Sequence, residues 1–214
     1  MSENEMREQI CRVGQLLYDK NFVAANDGNI SVRLDDKRVL ITPTGVSKGG
    51  MTAQSLVVID MAGNVLAGDS VPSSEGKMHL AIYRHRPDVN AVVHAHPPRA
   101  TAFAVVRKPI VKPIVAETFV SVGEVPVAPY SLTGTQQVVE AIEPFLKDYN
   151  ALLLANHGLV TWGKDLTQAF FRCESVEHYA KIMMYSLQIG EPIELNVAQV
   201  ADLVKLRERL NQTD

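Results

Sequence analysis

A β-branched apolar run that ends in two histidines and two prolines constrains this chain more than any other stretch. It reads Ala91-Val92-Val93-His94-Ala95-His96-Pro97-Pro98. Side chains of a strand alternate between its faces at about 3.3 Å per residue, so His94 and His96 point to the same side. The prolines lack the N–H that would continue a ladder. The stretch predicts a buried strand whose end presents two imidazoles. Such a pair suits a divalent transition metal, but a His-x-His pair is by itself a weak signal for one.

Length and composition indicate a soluble globular protein. The 214 residues, with 46% hydrophobic and 21% charged, fit one large domain or two small ones. The net charge of -3 gives no electrostatic reason to expect nucleic acid or an anionic membrane as a partner. Cys11 and Cys173 are too few for a disulfide framework, and the polar N-terminus does not resemble a signal peptide. No apolar run approaches the roughly 20 residues of a membrane span. We therefore expect a cytoplasmic protein without nucleic-acid or membrane partners.

Periodicity along the chain predicts strands mixed with helices. Helices are expected from the N-terminus to about residue 21, after residue 75, and over 99–106, 138–146, 165–189 and 197–210. Strands are expected over 30–34, 38–42, 56–60, 65–67, 91–96, 151–155 and 159–162, and residues 110–129 as strands and loops. With no linker or repeat, the pattern predicts one domain over residues 1–214, an α/β or α+β sheet with helices on both faces.

Two of these helices carry more detailed expectations. Ser73 or Ser74 can cap the helix that follows Glu75, whose buried face would include Met78, Ala81, Ile82 and His85. His79 and His85 are expected to be packing or surface residues. In the long helix, Val176, Ala180, Met183 and Leu187 are expected to face the core, and His178 to be solvated.

A third histidine occupies the same kind of position as His96. His157 follows the apolar run 152–154 and precedes Gly158, where the chain can turn sharply. Three histidines at strand ends with an open coordination position describe a catalytic rather than a structural site. Glu75 stands at a helix start, nineteen residues before His94. A carboxylate beside a metal can act as a general base.

Three small polar clusters could bind an anion. They are Gly28-Asn29, Thr44-Gly45 and Ser73-Ser74, and each combines short hydrogen-bond donors with backbone that can approach a ligand closely. Such groups can bind phosphate, helped in the third cluster by a helix N-terminus. The same residues also dominate ordinary turns and helix caps. Taken one at a time, the clusters leave both interpretations open.

Six short motifs occur in a fixed order along the chain. They are Gly-Asn-Ile-Ser, Thr-Pro-Thr-Gly, Pro-Ser-Ser-Glu, His-Ala-His-Pro, Val-Ala-Pro-Tyr and Asn-His-Gly-Leu. In this order the set resembles the class II aldolase and adducin family, and within it the L-fuculose-phosphate aldolases, from about Arg7 to Gly190. The resemblance implies a single-domain three-layer α/β/α fold with a mainly antiparallel central sheet. It also implies a homotetramer with active sites at subunit interfaces.

The resemblance assigns roles to residues motif by motif. His94, His96 and His157 would be metal ligands for Zn²⁺, with Mn²⁺ or Co²⁺ as alternatives. Glu75 would be the catalytic acid/base and could also ligate the metal when substrate is absent. A phosphorylated ketose would bind through a phosphate pocket formed by Gly28, Asn29, Thr44, Gly45, Ser73 and Ser74. The implied reaction cleaves a ketose 1-phosphate, such as L-fuculose 1-phosphate, to dihydroxyacetone phosphate and a short aldehyde.

The chain departs from this pattern on the side of the aldehyde. The fuculose-phosphate aldolases place one tyrosine in the segment that matches 114–119 and another in the C-terminal tail. Here no tyrosine occurs between Arg84 and Pro129 or after Tyr185. Glu117 occupies the first segment instead. A role for Glu117 with the aldehyde or in an interfacial ion pair follows as an expectation.

Related functions on the same scaffold provide the alternatives. Pentulose-phosphate 4-epimerases also resemble this chain, but carry Asp where it has Glu75. Decarboxylases of phosphorylated keto acids often carry Lys in place of Ser74. Adducin-like head domains use the fold as a scaffold without a metal site, and would not need three histidines and Glu75. A set of buried polar groups without a function would only cost stability, so the sequence favours a lyase.

Overall fold

An eight-stranded sheet forms the centre of the protein. The computed structural model describes residues 1–213, with the backbone alone for residues 211–213, so Asp214 of the predicted domain lies outside the described residues. The strands are β1 (Asn29–Arg33), β2 (Arg38–Ile41), β3 (Val57–Asp60), β4 (Val65–Ala67), β5 (Ala91–Ala95), β6 (Val127–Ala128), β7 (Ala151–Leu154) and β8 (Gly158–Gly163). Their order is β4-β3-β2-β1-β5-β8-β7-β6, and all neighbours pair antiparallel except β6 and β7, which are parallel.

Helices cover both faces of this sheet. The helices of the described residues are α1 (Glu3–Asp19), α2 (Gly76–His85), α3 (Pro98–Val105), α4 (Ala116–Ser121), α5 (Gln136–Ile142), α6 (Leu166–Ile189) and α7 (Val197–Thr213). One apolar core lies between the sheet and α1, α3 and α6, and we call that side the α1 face. A second core lies between the sheet and α2 and α5, the α2 face. The predicted α/β class, with helices flanking a mainly antiparallel sheet, is confirmed.

Strand β5 shows how the sequence pattern places the polar groups. Ala91, Val93 and Ala95 pack in the core of the α1 face, whereas Val92 packs in the core of the α2 face. Because side chains alternate, His94 shares the face of Val92. Residues directly opposite in a ladder also share a face, and Asn29 of β1 is opposite His94. The α2 face therefore collects polar side chains where β1 and β5 meet.

The exit from β5 is fixed by a buried carboxylate. Pro98 begins α3, as its missing N–H permits at a helix start. Glu177 of α6 is buried and accepts hydrogen bonds from the backbone N–H groups of Arg99 and Ala100 and from the Arg99 guanidinium. These bonds satisfy donors that a helix N-terminus leaves free. They hold α3, and with it the end of the histidine strand, against α6.

Helix α2 begins later than the serine pair suggests. Its first residue is Gly76, and Glu75 stands at the cap position without a side-chain capping bond. The Ser73 hydroxyl accepts only the N–H of Glu75, at 3.3 Å. The expected serine cap is therefore wrong, because both serines lie in the loop that lines a cleft.

Other local predictions also fail, each because tertiary packing decides the outcome. Residues 110–129 contain α4, which packs against α6 and α7, although that segment was expected to be strands and loops. His85 was placed on the buried face of α2, but it is exposed and pairs with Glu143, whereas His79 is fully buried. Leu187 was placed in the core and is 51% exposed. Within the described residues no helix is both long and apolar enough to cross a membrane.

Candidate metal centre and active site

Three histidines converge at one end of the sheet. His94 lies near the end of β5, His96 follows the end of that strand, and His157 lies in the turn between β7 and β8. The pairing of β5 with β8 brings the two segments together. One ring nitrogen from each histidine lies within 4.8 Å of the others. The ring centroids are 4.7 to 5.0 Å apart.

Hydrogen bonds behind the rings orient two of these histidines. The Nδ1 of His94 faces the carbonyl oxygen of Leu159 at 2.9 Å, and the Nδ1 of His96 faces a carboxylate oxygen of Asp27 at 3.3 Å. Both partners only accept hydrogen bonds, so each Nδ1 donates, which in a neutral imidazole leaves Nε2 with its lone pair. The two Nε2 atoms are 3.1 Å apart. Two lone pairs directed at one point suit a shared cation.

Glu75 completes the cluster with a buried carboxylate. Its Oε2 lies 3.3 Å from Nε2 of His94, and its Oε1 lies 3.5 Å from Nε2 of His157. Oε1 is buried and has no hydrogen-bond partner among the described residues. An orphaned carboxylate oxygen beside three imidazoles is a costly arrangement that a divalent cation would satisfy. The donor set therefore fits a catalytic divalent metal.

Electrostatics favour an ionised Glu75 and a neutral His157, as a cation needs. At His94, burial lowers the pKa, but the Glu75 carboxylate and the Leu159 carbonyl outweigh it and raise that pKa. Burial raises the pKa of Glu75, but His94, His157 and the Asn29 amide together outweigh it and hold that pKa well below its usual range. Burial and the neighbouring His94 lower the pKa of His157 to about 4. At neutral pH the site therefore contains an ionised carboxylate and a neutral His157 imidazole with a free lone pair.

Two glycines make room for the histidines. A Cβ at Gly158 would lie 2.5 Å from Cδ2 of His96, so only glycine permits this approach. A Cβ at Gly28, whose φ is +74°, would lie 2.8 Å from the carbonyl oxygen of His94. The left-handed residue of the His157 turn is Asn156, with φ of 56°, rather than Gly158. Gly158 thus serves close packing, and the expectation that it makes the turn is wrong.

The three polar clusters meet the metal centre in one cleft of about 270 Å³. Its lining includes all six residues predicted for the phosphate pocket, together with Glu75, His96 and His157: Gly28, Asn29, Thr44, Gly45, Ser73 and Ser74. His94 lies buried beneath it. Backbone bonds join the loops, from Thr44 N–H to the Val71 carbonyl and from Ser73 N–H to the Thr42 carbonyl. Glu117 is exposed on α4 and does not line this cleft.

Lys48 connects two of the loops through hydrogen bonds from its buried ammonium group. Its side chain is only 2% exposed, and Nζ donates to the carbonyls of Asn26 at 3.0 Å and Val46 at 2.6 Å. The first carbonyl precedes Asp27, the partner of His96, and the second follows Gly45 of the phosphate cluster. Burial lowers the pKa of Lys48 to about 8, an effect that Asp27 partly opposes.

This lowered pKa predicts how stability depends on pH. Between pH 8 and the ordinary pKa of lysine, about 10.5, the unfolded chain binds a proton at Lys48 that the folded protein lacks. Stability should therefore rise with pH across this window. Relative to Lys48→Met, the free energy of unfolding of the wild type should rise by about 2 to 3 kcal/mol, measured by urea unfolding at both ends. Lys147→Met, on the exposed surface, is the control. Parallel pH profiles of the wild type and Lys48→Met would contradict the prediction.

Several residues at the site escaped the sequence analysis. Asp27 belongs to none of the predicted clusters, although it directly precedes Gly28-Asn29. Lys48 and Thr133 gave no motif, because their positions depend on how distant loops meet. His79 is predicted only as a packing or surface residue, yet it stands four residues after Glu75 and so lies on the same side of the helix. Tyr83 follows at the same spacing, a signal that could have been used.

Comparison with known proteins finds similar proteins over most of the chain. Residues 8–184 match the class II aldolase and adducin N-terminal domain family. The chain is 36% identical to 3-oxo-tetronate 4-phosphate decarboxylase of Haemophilus influenzae, covering 95% of this chain and 98% of that one. It is 37% identical to L-fuculose phosphate aldolase of Methanococcus maripaludis, covering 81% and 92%. A solved structure of L-fuculose 1-phosphate aldolase has a TM-score of 0.88 at 30% identity, covering 97% and 98%.

Proposed function

Because this chain belongs to the class II aldolase and adducin N-terminal domain family, we propose that it is a metal-dependent lyase that cleaves a ketose 1-phosphate. The products would be dihydroxyacetone phosphate and a short aldehyde, and L-fuculose 1-phosphate is one such substrate. The observation that carries the proposal is the buried Oε1 of Glu75, which has no hydrogen-bond partner in the described part of the chain. It lies 3.5 Å from Nε2 of His157, and Glu75 lines the same cleft as the small polar residues.

The cleft supports binding of the phosphate beside the reacting carbons. Hydroxyls from Thr44, Ser73 and Ser74 and the amide of Asn29 line it. Gly45, whose φ is +72°, has open space where a Cβ would lie, so backbone there is accessible to a ligand. Neutral donors of this kind bind a phosphate dianion through hydrogen bonds. The substrate's ketone and neighbouring hydroxyl would then face the histidines.

The proposed chemistry transfers a proton to carbon. When bound, a divalent ion would act as a Lewis acid, stabilising negative charge that develops on the ketone oxygen. The bond between C3 and C4 breaks, its electron pair moves to C3, and the ionised Glu75 carboxylate takes up the proton of the C4 hydroxyl as the aldehyde forms. Glu75 then delivers a proton to C3 of the enediolate, which becomes dihydroxyacetone phosphate. In the direction of synthesis, Glu75 removes that proton.

A decarboxylase is the second candidate, and its support is the full-length likeness to the Haemophilus influenzae enzyme. Loss of CO₂ from 3-oxo-tetronate 4-phosphate would leave the same enediolate, so the same cleft and Glu75 could serve both reactions. Ser74 favours the aldolase, because phospho-keto-acid decarboxylases of this scaffold often carry Lys there. Glu75 likewise argues against a 4-epimerase, where Asp is expected.

One experiment separates these reactions. The protein, loaded with Zn²⁺, is incubated with a panel of ketose 1-phosphates and with 3-oxo-tetronate 4-phosphate, and the products are followed by NMR. We expect dihydroxyacetone phosphate and an aldehyde from at least one ketose phosphate. Release of CO₂ without cleavage of any ketose would support the decarboxylase, and isomerisation without release an epimerase. Inactivity on every substrate would contradict an enzymatic function.

The phosphate cleft gives a prediction for binding. Replacing Ser74 with Ala removes a hydroxyl that would contact phosphate equally in the ground and transition states. KM for the phosphorylated substrate should therefore rise about tenfold while kcat changes little. Ser55→Ala is the control, since that hydroxyl is exposed and bonds only to the Thr52 carbonyl. An unchanged KM in Ser74→Ala would mean that this cluster is a turn without a binding role.

The proposal includes the metal and the assembly. Zn²⁺ is the proposed ion, with Mn²⁺ or Co²⁺ as alternatives, because three histidines and a carboxylate suit each of them. We propose that the whole chain forms one domain and assembles as a homotetramer with active sites at subunit interfaces, as the family resemblance implies. Analytical ultracentrifugation tests the assembly, and a monomer with full activity would contradict it.

A further inference from the structure

A continuous line of buried polar side chains runs from Glu75 into the protein. It links Asn29 and Ser31 of β1 to His79 and Tyr83 of α2, and all four residues are almost or fully inaccessible, with His79 at 0%. The hydrogen-bonded distances are 2.8 Å from Asn29 Nδ2 to Glu75 Oε2 and 2.5 Å from His79 Nε2 to Asn29 Oδ1. They continue with 2.7 Å between His79 Nδ1 and Ser31 Oγ and 2.8 Å between Ser31 Oγ and Tyr83 hydroxyl.

We propose that His79 is a positioning residue: it fixes the side-chain amide of Asn29 so that the NH₂ group faces Glu75 and aims its carboxylate at the reacting carbon. The role of the carboxylate in this statement rests on the proposed function. The orientation of the amide does not, because it follows from the hydrogen bonds of Asn29 to Glu75 and His79 and from the acceptor character of a carboxylate. His79 itself does not line the cleft, and its two ring nitrogens bond to Asn29 and Ser31.

The donor and the acceptor of every hydrogen bond in the line can be assigned, starting from the Glu75 carboxylate. An ionised carboxylate only accepts, so Asn29 presents its NH₂ group to Glu75. Its Oδ1 then faces His79, which must donate from Nε2. A neutral imidazole has one N–H, so His79 Nδ1 accepts from the Ser31 hydroxyl. The Ser31 oxygen can in turn accept from the hydroxyl of Tyr83, and all donors point towards Glu75.

Secondary structure explains why these side chains meet. Glu75, His79 and Tyr83 are four residues apart and stack along one side of a helix. Asn29 and Ser31 are two residues apart and lie on the α2 face of β1. Side chains from the helix and from the strand therefore alternate along the line of hydrogen bonds. Burial lowers the pKa of His79 to about 3, so the ring stays neutral and keeps its single N–H.

The line positions groups and does not conduct protons. An amide side chain does not take up and release protons at ordinary pH, so Asn29 interrupts any transfer between His79 and Glu75. What the line can supply is orientation. Without His79, the Asn29 amide could rotate by half a turn and present its oxygen to the carboxylate, which would repel it. A hydrogen bond to a charged group would then be lost.

The test combines spectroscopy with matched variants. In the wild type, the ¹⁵N NMR signals of His79 should show a protonated Nε2 and a bare Nδ1. His79→Phe keeps the ring volume but removes both contacts, whereas His79→Gln offers an N–H to Asn29 and a carbonyl to Ser31. Proton exchange at C3 of dihydroxyacetone phosphate should fall about tenfold or more in His79→Phe and stay within about threefold of the wild type in His79→Gln. His85→Gln, on the exposed side of the same helix, is the control.

The outcomes separate this inference from the proposed function. A protonated Nδ1 on His79 would overturn the inference even if His79→Phe failed to fold, because it reverses the direction of the line. Equal exchange rates in folded His79→Phe and in the wild type, with metal content unchanged, would also overturn it. If the wild type itself exchanged no proton while Nε2 carried the N–H, the proposed function would fail and the orientation of Asn29 would stand.

Discussion

Replacing Glu75 with Gln should lower kcat by about 10²- to 10⁴-fold, the usual contribution of a general acid or base. Gln keeps the size of the side chain and its ability to hydrogen-bond, but it has no basicity. The three histidines remain, so metal content should be near that of the wild type. KM should change little, because the phosphate cleft is intact. Steady-state kinetics of dihydroxyacetone phosphate release, with metal analysis of the same sample, measure these quantities.

The control for this variant is Glu140→Gln, a carboxylate on the exposed side of α5. It should leave kcat, KM and metal content unchanged. If Glu75→Gln lost the metal as well, Glu75 would be acting mainly as a ligand and the drop in kcat would not report on proton transfer. A kcat equal to that of the wild type would exclude Glu75 as the catalytic acid/base.

Loss of a histidine ligand should have a comparably large effect. In His96→Ala the protein should bind Zn²⁺ at least about 100-fold more weakly and lose nearly all activity. Removing a group that only hydrogen-bonds to a metal ligand already lowers metal affinity about 10- to 100-fold. His96 is the appropriate choice because it lies beyond the end of β5 and is partly exposed, so the core remains. Calorimetric titration with Zn²⁺ and circular dichroism measure affinity and folding.

A second variant, with a smaller expected effect on Zn²⁺ affinity, tests the same metal centre. Asp27→Ala removes only the carboxylate that faces Nδ1 of His96 at 3.3 Å, and it should weaken Zn²⁺ binding by about 10- to 100-fold. His85→Ala alters a surface histidine and should leave affinity unchanged. Unaltered affinity in His96→Ala would remove that residue from the ligand set, whatever its effect on activity.

The sequence predicted those features that depend on residues close to one another in the chain. The alternation of β5 placed His94 and His96 on one side, because two residues always return a strand to the same face. Helix α6 follows from a stretch of 24 residues without glycine or proline that begins with a side-chain cap from Asp165. The three polar clusters were identified as possible phosphate binders, although only the order of the motifs suggested that they act together.

The predictions that fail concern features that are determined by contacts between segments far apart in the sequence. Residues 116–121 form α4 because α6 and α7 pack against it, and so short a helix has little stability of its own. His85 is exposed although it is predicted on the buried face of α2, because the position of β1 determines which side of that helix is covered. Lys48 is buried because two loops place their carbonyls around it. Apart from Val46, which is two residues before Lys48, these partners lie far away in the sequence.

The most direct test of the account is exchange of the C3 protons of dihydroxyacetone phosphate with deuterated water, followed by NMR without any aldehyde. It isolates proton transfer from cleavage and from the identity of the aldehyde. The account predicts that the Zn²⁺-loaded wild type exchanges one C3 proton and that Glu75→Gln does so about 10²- to 10⁴-fold more slowly. Exchange by Glu75→Gln at the rate of the wild type would show that another group moves the proton and would contradict the account.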